Sequence, residues 1–273
     1  MMLVIKLRSD LHIHTLYSDG ELDEYQIIKE IEKAELDEFS ICDHDTIEGS
    51  KKVFNLIAKE NVKAIFHSGV ELSSRYKDVN IHLLVRDFNL DDENMKYLID
   101  KINRLRKQRT NFMLEFVERV YGINIDRSKV KEIEDKTNSF GKPHLYKILL
   151  TYGDFKRDEY YKNMDRFNCD NFKLDAIEVF EKLKNREGYI TLAHPVEIMR
   201  EYNLSYEDID NLVGELVECG LKGLETKHSN HTNKDYLVFS KIAKKYKLIE
   251  TTGSDFHGEG VKPGLKIGMF EKR

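Results

Sequence analysis

Short apolar runs near Val4 to His12, Phe39 to Cys42 and Ala64 to Val70 alternate with helix-period stretches near Glu24 to Ala34 and Glu48 to Lys59. That alternation predicts repeated strand–helix units around a parallel sheet or barrel. Asn80 to Val85 reads as a further strand. From Asp87 to Arg186 the pattern changes. Met95, Leu98, Ile99, Ile102 and Leu105 recur at three- and four-residue steps, which predicts an almost purely helical segment. Beyond it, strands at Tyr189 to Ala193, Gly223 to Thr226 and Leu248 to Thr252 alternate with helices at Tyr206 to Cys219 and Lys234 to Tyr246. Ser205 and Thr232 stand where the last two helices need N-caps. The expected organisation is an α/β body built from 1–86 and 187–273, with 87–186 as a helical insertion that forms part of its pocket.

With 273 residues, 40% of them hydrophobic, the chain can bury a substantial core. Its 44 basic and 49 acidic side chains leave a net charge of -5, which argues against a broad face for duplex nucleic acid while allowing a local basic pocket. The opening MMLVIKLRSDLHIHT has a short apolar stretch broken by Lys6 and Arg8, so it reads as neither signal peptide nor membrane span. Cys42, Cys169 and Cys219 are odd in number and lack CxxC spacing, which speaks against disulfides or a thiolate zinc site. A reducing cytoplasm is the expected location.

The chemistry-bearing residues collect at predicted strand ends. In DLHIHT, His12 and His14 alternate along a strand and so point to one side. SDG (Ser18 to Gly20) follows closely, and the two-residue spacing recurs at Asp255 and His257 in SDFHG. Between them lie DHDT (Asp43 to Thr46), GVE (Gly69 to Glu71), His82 in NIHLL and His194 in AHP. Strand carboxyl ends are where barrels and open α/β folds place their chemistry. Oxygen and nitrogen ligands without thiolate suit Mn, Fe or Zn, and Glu71 could bridge two ions. Closely spaced divalent ions make phosphate-ester hydrolysis the natural reaction class.

In this order the motifs resemble those of the PHP family, named for polymerase and histidinol phosphatase. The resemblance implies a distorted (β/α)7 barrel with two or three divalent ions. It implies His12, His14, Glu71 and Asp255 around one ion, Glu71, His82 and His194 around a second, and Asp19, His44 and His257 around a third. A metal-held hydroxide near Glu71, His194 and Asp255 is the expected nucleophile. Arg104 to Arg109 (RLRKQR), GINID, GKPHL, GSDFHG and KPG are similar to PHP phosphoesterases acting on nucleoside 3',5'-bisphosphates or on the 5' end of short RNA. Where those relatives commonly carry Arg-Pro-His, this chain has Lys142, Pro143 and His144. Lysine attracts phosphate but lacks a bidentate fork. Met164 to Phe172 matches no motif.

The expected function is therefore a metal-dependent phosphoesterase for a small phosphorylated substrate, a nucleotide or short oligoribonucleotide. Lys142, His144, His228 and His231 are the candidate substrate contacts. Glu225 is a candidate for orienting a ligand histidine, and His67 reads as structural. Lys101, Arg104, Arg106, Lys107 and Arg109 read chiefly as a solvated basic face. L-histidinol-phosphate phosphatase is the alternative activity, and a metal-stabilised, non-catalytic PHP module is the alternative of another class.

Overall fold

The computed structural model describes residues 7–137, 140–165 and 172–270. The expected strand start at Val4 lies partly outside them, as do Cys169 and most of the motif-free stretch before Phe172.

Two sheets carry the fold. Strands β1 (Ser9–Ile13), β2 (Glu38–Ile41) and β3 (Ile65–His67) pair in parallel, with α1 (Glu24–Lys33) and α2 (Glu48–Ile57) as crossovers. Helix α1 starts where Asp23 and Gln26 form a reciprocal capping box, and its buried Ile27, Ile28 and Ile31 face β1 and β2. The second sheet is larger. It contains β4 (Gly69–Tyr76), β5 (Val79–Arg86), β6 (Leu174–Asp175), β7 (Tyr189–Leu192), β8 (Gly223–His228) and β9 (Ile249–Gly253), ordered β6-β4-β5-β7-β8-β9. Helices α7 (Ala176–Leu183), α8 (Pro195–Tyr202), α9 (Tyr206–Cys219) and α10 (Asn233–Tyr246) join its strands. Ser205 and Thr232 cap α9 and α10 as the sequence predicts.

A closed (β/α)7 ring is not formed. Strand β5 runs antiparallel to both β4 and β7, which interrupts the strand–helix repeat. Among the described residues, the edges of the two sheets pair through the isolated bridges Ile13↔Phe256 and His44↔Glu71. At each seam one partner, Phe256 or His44, lies just beyond the end of its strand, so no continuous ladder forms.

The run Ala64 to Val70 was expected as one strand, yet the chain changes sheet within it. Strand β3 ends at His67 and β4 begins at Gly69. A Cβ on Gly69 would lie 2.2 Å from Ser40 Oγ and 2.5 Å from the Ile41 carbonyl oxygen, so only glycine lets β4 start this close to β2.

Between β5 and β6 lie α3 (Glu93–Tyr121), α4 (Arg127–Thr137), α5 (Lys142–Leu149) and α6 (Arg157–Asp165). The start of α3 (Met95, Leu98, Ile102) packs into the large-sheet core together with Leu174 and α7. Met113, Phe116, Val117, Leu145, Leu149 and Tyr160 belong to a separate cluster built from α3 to α6. No described helix is long and apolar enough to cross a membrane.

Candidate metal centre

The expected ligands converge from six strands and the segments that directly follow them. His12 lies on β1 with His14 just past it, His44 follows β2, Glu71 is on β4 and His82 on β5. His194 follows β7 and precedes Pro195, the first residue of α8, while Asp255 and His257 follow β9. Asp19 comes from the loop after β1.

Glu71, fully buried, is the hub. Its Oε2 lies 3.2 Å from His12 Nε2, 3.2 Å from His14 Nε2 and 3.0 Å from His44 Nδ1. Its Oε1 lies 2.9 Å from His82 Nδ1 and 3.0 Å from His194 Nε2. A second carboxylate, Asp255, places Oδ1 3.3 Å from both His14 Nε2 and His257 Nδ1. Asp19 Oδ1 is 3.2 Å from His257 Nε2, and its Oδ2 is 3.8 Å from His44 Nε2. All nine expected ligands therefore stand in one connected cluster.

Backbone geometry serves the same end. Asp45, His194 and Asp255 adopt φ values of 55°, 26° and 56°. Left-handed conformations at non-glycine residues cost energy and gather where a site requires them.

The surrounding carboxylates hold the loops in place. Asp43 accepts hydrogen bonds from the Thr15 amide, the Thr15 hydroxyl and the Ser18 hydroxyl, each at 2.7 Å, and so fixes the loop carrying Asp19. Asp10 accepts from the amides of Ser254 at 2.9 Å and Gly268 at 2.8 Å, tying β1 to the segment carrying Asp255. Burial pushes the Asp10 carboxyl up to about 6, against the pull of those hydrogen bonds. Asp45, also buried, accepts from the Ser73 amide at 2.6 Å and pairs with Arg106 of α3. The sequence singled out none of these three as site residues, although each sits inside or beside a motif.

Glu225 lies against two of the expected ligands. Its Oε1 lies 3.1 Å from His12 Nδ1, and its Oε2 accepts the His194 amide at 2.7 Å. Gly253 makes room, since a Cβ there would come within 2.3 Å of both Glu225 Oε1 and His12 Cβ.

Whether divalent ions fit can be judged from the polar atoms left over. His12 Nε2, His14 Nε2, His44 Nδ1 and Glu71 Oε2 are buried without a hydrogen-bond partner among the described residues, though they crowd one point. Unsatisfied buried polar atoms are costly, and a cation at their focus would satisfy all four. The charge balance agrees. Burial alone would raise the Glu71 carboxyl, but the charges of His44, His12 and His82 hold it well below the usual carboxylate range. Burial likewise works against Asp255, but the close approach of His14 and His228, each 3.3 Å away, keeps it well below normal. Burial lowers the His14 and His194 rings, yet Asp255 and Glu71 beside His14, and Glu71 beside His194, push both up to about 9. Cys42 stays out of the cluster, with its Sγ 3.4 Å from Ser40 Oγ and burial pushing the thiol up to about 11.

The candidate substrate contacts divide. His228 is buried on β8 with Nε2 3.3 Å from Asp255 Oδ2, and His231 packs near it, the rings tilted with centroids 5.3 Å apart. Lys142 and His144 open α5, where the Gly141 amide donates to His144 Nδ1 at 3.2 Å. Neither is among the residues that line the cleft beside the cluster. That cleft runs from Asp19, His44 and His82 to Arg106, Arg109 and Phe172.

The chain belongs to the PHP domain family, whose model matches residues 10–254. It is 25% identical over 260 residues to the phosphoribosyl 1,2-cyclic phosphate 1,2-diphosphodiesterase of Eggerthella lenta, covering 92% of this chain and 94% of that one. A 5'-3' exoribonuclease of Haemophilus influenzae is 24% identical over 91% of this chain and 89% of its own length. The 3',5'-nucleoside bisphosphate phosphatase of Chromobacterium violaceum is 22% identical over 96% and 91%. A solved structure from C. violaceum, described as an amidohydrolase with bound sulfate, shares the fold at a TM-score of 0.74, with 21% identity over 97% of this chain and 91% of that one. These comparisons bear out the family and the enzyme class, a metal-dependent phosphoesterase, read from the motifs.

Proposed function

We propose that this protein hydrolyses phosphate esters of nucleotides, either a nucleoside 3',5'-bisphosphate or the 5' end of a short RNA. One observation carries the reading: five imidazole nitrogens face the two oxygens of buried Glu71. In it, His12, His14, Glu71 and Asp255 hold one divalent ion, Glu71, His82 and His194 a second, and Asp19, His44 and His257 a third. Mn, Fe and Zn all suit this donor set. Bound ions supply Lewis acidity and positive charge for phosphoryl transfer.

The chain's own groups complete the site. Glu225 is ionised, the electrostatic pull of the adjoining imidazoles overcoming burial to hold it at about 2, so it only accepts; a His12 ring that offers its Nε2 lone pair to a metal ion must therefore carry its proton on Nδ1. That leaves the His12 Nε2 lone pair facing the cluster. His228 is set the other way. The Asn230 amide donates to its Nδ1 at 3.1 Å, so the neutral ring carries its proton on Nε2, at the Asp255 edge of the cluster. In this reading that N–H binds a phosphoryl oxygen. His231 Nδ1 lies 3.0 Å from the Thr226 carbonyl and donates to it. Burial and the neighbouring His228 hold His231 down to about 4, so it meets substrate as a neutral ring.

The names of the relatives support nucleotide or ribosyl phosphate substrates over L-histidinol phosphate. The reading is tested with Asp255→Ala and His194→Ala, each measured for bound metal, phosphate release and circular dichroism. Loss of metal and turnover with the fold retained is expected; full activity in both variants would sink the ligand assignment.

A further inference from the structure

The basic run Arg104 to Arg109 looks uniform in sequence, but the helix sorts it. Ile102, Arg106 and Arg109 are spaced by four and three residues, hence share one face of α3, and all three line the cleft that opens from Asp19, His44 and His82. Arg104 and Lys107 are exposed on other faces, and Lys101 is engaged with Glu178 at 2.5 Å. The two cleft arginines also differ. Arg106 is committed to buried Asp45. Arg109 has no hydrogen bond or ion pair among the described residues, and its Nε is buried without a partner. A guanidinium donor withdrawn from water and left unmatched is costly unless an acceptor arrives. Beside it, Phe172 packs against Phe112 with ring centroids 5.1 Å apart, giving the cleft an apolar ring wall next to its cationic one.

We infer that Arg109 binds a second phosphate of the substrate, one that is not hydrolysed, while the first lies at the His/Asp/Glu cluster. The inference rests on the phosphoesterase reading and adds to it the feature that selects the substrate. A cleft walled by Arg106 and Arg109 accepts a leaving group carrying its own phosphate, next to a ring that can meet Phe172. The same wall repels a leaving group bearing an ammonium, as histidinol does. Arg106, held by Asp45, sets the position of the helix face on which Arg109 stands.

The test compares Arg109→Met and Arg109→Lys with wild type on adenosine 3',5'-bisphosphate and on p-nitrophenyl phosphate, which has a single phosphate. Charge-assisted hydrogen bonds of this kind correspond to roughly 10- to 100-fold in affinity. Arg109→Met should raise KM for the bisphosphate by about that factor and leave kcat within about threefold, with Arg109→Lys partway between. Kinetics on p-nitrophenyl phosphate should not change. Equal effects on both substrates, or none on either, would overturn the inference. Calorimetric binding of adenosine 3',5'-bisphosphate to chelator-treated protein provides a readout without turnover. Binding weakened by Arg109→Met in a protein that hydrolyses neither substrate would refute the hydrolase reading alone, and Arg109-independent binding would refute this one.

Discussion

Replacing Glu225 with glutamine removes one charge and almost no volume, yet the geometry leaves the amide no satisfactory orientation. The carboxylate accepts on both sides, from His12 Nδ1 at 3.1 Å and from the His194 amide at 2.7 Å. If the glutamine oxygen faces the His194 amide, its NH2 confronts His12 Nδ1, and the ring proton must move to Nε2, toward Glu71. If the amide turns over, NH2 meets the His194 N–H donor to donor. Either arrangement leaves a buried group unmatched, at about 1–3 kcal/mol. Partners that orient metal-ligating histidines typically govern 10- to 100-fold in metal affinity or activity. Glu225→Gln should therefore bind divalent metal roughly 10- to 100-fold more weakly in a competition titration against a chelating dye, with turnover at saturating metal reduced as well. The far-ultraviolet circular dichroism should be retained, because the strand pairing of β8 does not involve the side chain. Wild-type metal affinity in Glu225→Gln would refute the claim that Glu225 sets the His12 tautomer.

Chelation should destabilise the protein as well as silence it: metal at about 100 times its Kd contributes ~2.7 kcal/mol, or roughly 5–10 °C in melting temperature. A melting curve indifferent to EDTA would contradict the buried-cluster account. His67, 2.7 Å from Asp87 and 3.3 Å from Glu38, has its pKa raised by the Asp87 hydrogen bond against the pull of burial. Its contribution is then fully present below the unfolded value near 6.5 and fades as pH rises through the raised folded value. His67→Ala should cost about 1 kcal/mol in urea unfolding at pH 6 and almost nothing at pH 9; a pH-independent loss would place the effect elsewhere. Asp45→Asn keeps an acceptor for the Ser73 amide and tolerates the left-handed backbone at φ 55°, but it discharges the Arg106 pair. A stability loss of about 1–3 kcal/mol is expected from urea titration, and an unchanged midpoint would show that the pair is not engaged in solution.

How far the sequence carried depended on whether a feature was local. Period and capping placed α1, α2, α9 and α10 within a few residues, because apolar spacing and residues such as Ser205 and Thr232 act over one turn. The nine candidate ligands were legible because each belongs to a compact motif on or just after a strand, or in the loop behind β1. What escaped depends on the third dimension. The sheet change at Gly69 turns on how closely β4 must approach Ser40, which the apolar run does not encode. Helix α8 was passed over because it starts directly behind the AHP motif, with Pro195 read as part of that motif when it is also a helix start. Strand β6 is two residues long, too short for any period. Asp10, Asp43 and Asp45 look like more acid among many, and only their hydrogen bonds reveal them as fixtures of the site. Arg109 was hidden in a charge run for the opposite reason: composition gives the number of cations but not the face on which each one sits.

The most direct test of the central claim is phosphate release by manganese-loaded protein from adenosine 3',5'-bisphosphate, a 5'-phosphorylated trinucleotide and L-histidinol phosphate, run in parallel with and without EDTA. Chelator-sensitive turnover of a nucleotide substrate, with little on histidinol phosphate, is the predicted result; preference for histidinol phosphate, or no release from any of the three, would contradict it.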